Sequence, residues 1–213
     1  MEFLINITGF ILHIDVHLGE LIKNYGAFTY AILSIIIFAE TGLVFAPFLP
    51  GDSLLFAAGA FAAIGSFNII YLMLLLWAAA IAGDTVNYWI GHYFGQKIID
   101  NPKLPVNQEH INKAQHFYVR HGGKTIFLAR FIPLLRTFAP FVAGIGKMDY
   151  KKFLFYNITG GMVWVFGFCL LGYFFGNIPV VKNNFSLAIV AIVVISVIPI
   201  ITEFIKEMRS RAV

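Results

Sequence analysis

The sequence predicts an all-α integral membrane protein. Two re-entrant helical hairpins pack between transmembrane helices as an inverted repeat, with amphipathic helices at the membrane interface. Three observations lead there. Of 213 residues, 59% are hydrophobic and 12% charged, with a mean hydropathy of +0.81. A soluble domain carries about twice that charge fraction. Uncharged runs cover residues 53–83, 153–181 and 183–202, where a bilayer crossing needs about 20 residues. Two more apolar stretches are broken in the middle by proline, glycine and charge.

Taken in order, residues 10–23 fit an interfacial helix, with His13 and His17 one turn apart. Residues 28–64 are interrupted by Pro47-Phe48-Leu49-Pro50-Gly51-Asp52. Proline stops a helix and glycine permits a sharp turn, so Pro47, Pro50 and Gly51 mark the turn of a first hairpin. A span ending at Pro47, followed by a half-helix, is the alternative. The break Gly65-Ser66-Phe67-Asn68 precedes a span over 69–95 that carries Asp84 in its middle. Residues 107–121 form a basic surface helix whose His110, His116 and His121 suit headgroup contact; no acid or cysteine cluster accompanies them for a metal. Residues 124–146, interrupted at Pro133 and Pro140, have arms too short to span and form the second hairpin. Spans over 150–176 and 185–206 complete the chain, the last kinked at Pro199.

The order of elements repeats. Gly91-His92-Tyr93-Phe94-Gly95 returns as Gly172-Tyr173-Phe174-Phe175-Gly176, and Ile64-Gly65 returns as Ile145-Gly146. Residues 10–95 and 107–176 are then two copies of one unit. A unit with one span changes sides, so the copies have inverted topology. Chance likeness among glycine- and phenylalanine-rich segments is the competing explanation. Lysine and arginine crowd residues 97–124, 147–152 and 206–211, which puts these segments and the C-terminus in the cytoplasm. The net charge of +4 thus reports orientation, not nucleic-acid binding. The single cysteine, Cys169, forms no internal disulfide, and the N-terminus lacks the features of a signal peptide.

Five ionisable residues fall within apolar segments: Glu40, Asp52, Asp84, Arg130 and Arg136. Each costs roughly 2.5–3.5 kcal/mol at a helix centre on insertion scales. Arg130 and Arg136 flank Pro133 by three residues on either side. One turn down each arm of a hairpin, two guanidiniums make a fork suited to a phosphate. The alternative is a structural cluster neutralised by Glu40 and Asp52. Glu40 on an apolar arm suits proton uptake and release, and static pairing with an arginine stays open beside it. Asp52 fits a helix N-cap as well as a charge partner. Asp84, Asn87, Tyr88 and Gly91 share one helix face and read as the wall of a polar cavity.

These segments resemble the DedA family of bacterial inner-membrane proteins. The resemblance rests on Phe45-Ala46-Pro47-Phe48-Leu49-Pro50-Gly51-Asp52, on Gly83-Asp84 with Tyr88, Gly91 and Gly95, and on residues 127–140 around Arg130, Pro133 and Arg136. It covers nearly the whole chain and implies two re-entrant hairpins between transmembrane helices. It also implies movement of phospholipids across the bilayer, undecaprenyl phosphate being one family substrate, with essential charges at Glu40, Asp52, Arg130 and Arg136. His92 departs from the family, which often has arginine there.

The expected function is therefore a lipid transporter of the inner membrane. It translocates undecaprenyl phosphate or a phospholipid such as phosphatidylethanolamine between leaflets, coupled to protons, without metal or cofactor. A non-directional scramblase and a proton-coupled ion or small-solute antiporter are the alternatives; paired arginines would repel a cation. No catalytic Ser/His/Asp set or clustered aspartates point to an enzyme. A passive scaffold leaves five costly charges without a use.

Overall fold

The computed structural model describes residues 14–43, 51–99 and 122–176, with residues 178, 179 and 181. Every element among the described residues is a helix: α1 (Ile14–Tyr25), α2 (Phe28–Gly42), α3 (Gly51–Ala63), α4 (Ile69–Ile99), α5 (Lys124–Ala129), α6 (Pro133–Ile145) and α7 (Tyr150–Phe175). The turn prolines Pro47 and Pro50, the surface helix expected over 107–121 and the span expected over 185–206 lie outside the described residues.

Two helices are long and apolar enough to cross a bilayer, Ile69–Gly95 within α4 and Tyr150–Phe175. Both start at side-chain caps. Asn68 Oδ1 accepts from the backbone N–H groups of Ile70 at 3.0 Å and Tyr71 at 3.2 Å. Asp149 Oδ1 accepts from Lys152 N–H at 2.9 Å. Each cap satisfies donors that a helix start leaves orphaned. Outward, α4 exposes Ile70, Tyr71, Leu74 and Leu75, and α7 exposes Phe155, Met162, Val163 and Phe174. Apolar faces of this extent suit lipid, not water.

Three sequence expectations shift at the helix ends. Asp52 lies in the first turn of α3, inside the helix rather than at its cap; a carboxylate there is favoured by the helix dipole. The second break lies at residues 130–132, ahead of Pro133. Ile132 is extended at φ −117° and ψ 106°, and Pro133 opens α6. A residue before proline is pushed out of the helical region, and proline suits a first helical turn, where its missing N–H is no loss. Pro140 does not interrupt α6, which runs through it to Ile145. It removes only the N–H that would reach the Arg136 carbonyl.

The chain divides into two compact units. The first takes in Met1–Leu33, Pro50–Leu75 and Val165–Val213. In it Tyr30 OH accepts from Asn68 N–H at 2.7 Å, and the Tyr30 ring meets Phe67 edge-on at 4.9 Å. Gly59 of α3 lies so close to the Cys169 backbone of α7 that a Cβ would collide with it. Gly172 meets the Phe56 backbone in the same way, and Gly176 meets Ala60. Small residues let two helix backbones touch.

The second unit takes in Ser34–Leu49 and Leu76–Trp164. Here α6 crosses α4: Gly144 abuts the Tyr88 backbone, Gly91 the Phe141 backbone and Gly95 the Ile145 side chain. A Cβ on Gly83 would lie 2.8 Å from the Phe38 carbonyl oxygen and 3.0 Å from Gly42 N, so the end of α2 also packs against α4. Tyr88, Ile126, Ala129, Ala139, Ala143, Met148 and Phe153 form a buried apolar cluster beside this crossing.

Candidate functional site: a buried arginine–carboxylate cluster

The second unit contains all four charged side chains that are buried among the described residues. Glu40 is 0% exposed, Asp84 2%, Arg130 2% and Arg136 4%. Each arrives on a different segment: the end of α2, the middle of α4, the cap of α5 and the first turn of α6. The short α5 ends at Arg130, whose N–H bonds the Leu128 carbonyl. The chain turns within Phe131 and Ile132, and Arg136 N–H then bonds the Ile132 carbonyl at 2.9 Å. The two guanidiniums thus stand on either side of one helix break.

Each arginine bonds a carboxylate. Arg136 Nη2 donates to Glu40 Oε1 at 2.5 Å. Arg130 Nη2 donates to Asp84 Oδ2 and, at 2.6 Å, to Asn157 Oδ1. Asn157 is itself fixed, because its Nδ2 donates to the Ile81 carbonyl at 3.1 Å. The guanidinium carbons of Arg136 and Arg130 lie 4.8 Å and 5.7 Å from the centre of the Trp164 ring. Cation–π contacts in a dry site are worth about 2 kcal/mol each. Arg130 Nε and Nη1 are buried and have no hydrogen-bond partner, and neither has Asp84 Oδ1.

The face of α4 predicted from spacing does three jobs. Asp84 holds Arg130. Asn87 Nδ2 donates to the carbonyls of Thr41 at 3.1 Å and Thr137 at 2.7 Å, tying α2 to α6. Tyr88 OH donates to the Met148 carbonyl at 2.5 Å and fixes the approach to α7. The sequence reading gives Asp84 to a cavity wall; in the structure its carboxylate is the counter-charge of Arg130. Asp52 belongs to the first unit, in the first turn of α3 beside the buried Ser53. Pro133 starts α6 and Gly51 starts α3.

Sequence reasoning missed the α7 side of the site. Asn157, Gly160, Gly161 and Trp164 stand at i, i+3, i+4 and i+7, the same spacing that exposed the Asp84 face. A Cβ on Gly161 would lie 3.3 Å from Arg130 Nη1, and one on Gly160 3.2 Å from the Phe127 backbone. The glycine pair thus makes room for the guanidinium. Trp77 Nε1 donates to the Ile158 carbonyl at 3.0 Å, holding α4 against this stretch of α7.

The chain matches known proteins along its length. The model of the VTT domain matches residues 49–174. Protein DedA of Escherichia coli K12 is 51% identical over 215 residues, spanning 100% of this chain and 98% of that protein. An uncharacterized membrane protein of Mycobacterium leprae is 39% identical over 180 residues, 84% of this chain and 80% of that one. The inner membrane protein YqjA of Escherichia coli K12 is 36% identical over 152 residues, 71% of this chain and 69% of that one. No solved structure matches. With the apolar helices and the motifs around Asp52, Asp84 and Arg130, these matches establish that the chain belongs to the VTT-domain family of membrane proteins, the DedA family.

Proposed function

We propose that this protein is a lipid transporter of the bacterial inner membrane, not an enzyme. It moves a lipid phosphate, either undecaprenyl phosphate or a phospholipid such as phosphatidylethanolamine, between leaflets with coupling to protons. The observation that carries this reading is the buried pair of guanidiniums, Arg130 and Arg136, with two donor atoms of Arg130 unpartnered. A phosphate offers three strong acceptor oxygens and matches an arginine fork. A purely structural cluster has no need of spare buried donors.

The helices around the site suit this task. At about 1.5 Å per residue, the 15 residues of α2 reach about 22 Å and the six of α5 about 9 Å. Both fall short of a hydrocarbon core of about 30 Å. We read α2–α3 and α5–α6 as two re-entrant hairpins of an inverted repeat, with the C-terminus in the cytoplasm. Rocking of the hairpins exposes the phosphate site to one leaflet and then the other, while the tail stays in lipid. Glu40 then releases Arg136 to the phosphate in one state and reclaims it in the other.

The test is leaflet exposure of undecaprenyl phosphate and phosphatidylethanolamine in proteoliposomes, with and without a pH gradient. Wild type should move at least one of them, faster along one gradient direction, and Arg136→Ala should not. Movement indifferent to the gradient would make the protein a scramblase. Failure to move either lipid under any gradient would overturn the reading.

A further inference from the structure

The geometry points to Asp84 as the carboxylate that a lipid phosphate displaces from Arg130, taking up a proton as it leaves, so that each phosphate bound brings a proton into the membrane. This rests on the proposed function and names the coupling group within the same site. The cluster is electrically balanced, with Arg130 and Arg136 against Glu40 and Asp84. A phosphate monoester adds about −1.5 to −2 charges near pH 7. Adding that charge to a buried site without compensation is strongly unfavourable. A proton on the displaced carboxylate removes one of the negative charges.

The structure suits Asp84 to this exchange. Arg130 keeps Nε and Nη1 free of hydrogen bonds, and the same is true of Asp84 Oδ1 beside it. Arg130 is also anchored without Asp84. Asn157, pinned by the Ile81 carbonyl, holds Nη2 at 2.6 Å, and Gly160 and Gly161 leave space for the guanidinium. Asp84 can therefore let go while Arg130 stays aimed. Asn157 is a positioning residue in this scheme. The charges acting on Asp84 are Arg130 at the end of α5 and Arg136 on α6; Glu40 on α2 acts on Arg130, and α7 contributes the neutral Asn157 and Trp164. Once protonated, Asp84 can donate to a phosphate oxygen, which keeps every member of the site bonded.

The test is calorimetry on the full-length protein in nanodiscs, titrated with farnesyl phosphate in two buffers of different protonation enthalpy. Wild type should take up about one proton per phosphate bound. Asp84→Asn, which mimics the protonated acid, should bind the phosphate and take up about one proton fewer. Equal uptake by wild type and Asp84→Asn would overturn the inference and leave the phosphate site standing. No binding of farnesyl phosphate by wild type would overturn both. Should Asp84→Asn fail to fold, Asp84→Glu keeps the charge on Arg130. The infrared band of the protonated carboxyl, raised by farnesyl phosphate, should shift with carbon-13 aspartate in wild type and with carbon-13 glutamate in Asp84→Glu. A wild-type band that follows the glutamate label would assign the proton to Glu40 and overturn the inference. A band that still follows the aspartate label in Asp84→Glu would overturn the assignment.

Discussion

Gly59 of α3 seats on the backbone of Cys169, and Gly144 of α6 seats on that of Tyr88. Gly172 against Phe56 has its counterpart in Gly91 against Phe141, and Gly176 against Ala60 in Gly95 against Ile145. Each compact unit is thus built on one close helix crossing of the same plan. The contents differ. Four residues before Tyr88 stands Asp84, whereas four residues before Cys169 stands the buried Val165. The first unit holds its crossing together with small and apolar residues. A tight crossing therefore needs no charge, and the charges of the second unit must be explained by something other than packing. Buried ion pairs are in any case weak evidence for stability.

The largest expected effect comes from making the second crossing resemble the first. Asp84→Val leaves Arg130 as an uncompensated buried charge and should cost about 3–5 kcal/mol, read as a lower thermal midpoint in detergent. The double variant Asp84→Val with Arg130→Met should recover most of that loss while translocation stays abolished. A double variant that transports would show the pair to be dispensable. Next come the seats themselves. Gly91→Val and Gly172→Val both force a Cβ into backbone, and each should destabilise by at least about 1–3 kcal/mol. A loss confined to Gly91→Val would break the likeness of the two crossings.

Smaller effects sharpen the picture of the charged side. Trp164→Leu removes the ring beside both guanidiniums and should cost at least about 2 kcal/mol, with Trp164→Phe in between. Thermal unfolding of the three proteins orders them. Tyr88→Phe deletes one buried hydrogen bond to the Met148 carbonyl and should cost about 0.5–1.5 kcal/mol in the same measurement.

The helical class, the two long apolar helices and the shared face of Asp84, Asn87 and Tyr88 are all legible in the sequence. Composition, run length and a 3.6-residue period carry them directly. The partners of the charges are not legible. Glu40 and Arg136 are 96 positions apart and Asp84 and Arg130 are 46 apart, and no local period reports which acid meets which arginine. Pro140 misleads because a helix buried among others tolerates one missing hydrogen bond. Asn157, Gly160, Gly161 and Trp164 escape notice because asparagine, glycine and tryptophan are ordinary in membrane helices. Only their common face, read as it was for Asp84, gives them away.

The central claim is that two guanidiniums, and not merely two positive charges, bind a phosphate inside the membrane. The most direct test replaces Arg136 by lysine and follows undecaprenyl phosphate between leaflets in proteoliposomes, with the thermal midpoint measured alongside. Lysine keeps the charge opposite Glu40 but loses the planar fork. The expected result is a folded protein in which translocation is lost. Translocation at the wild-type rate in Arg136→Lys would contradict it.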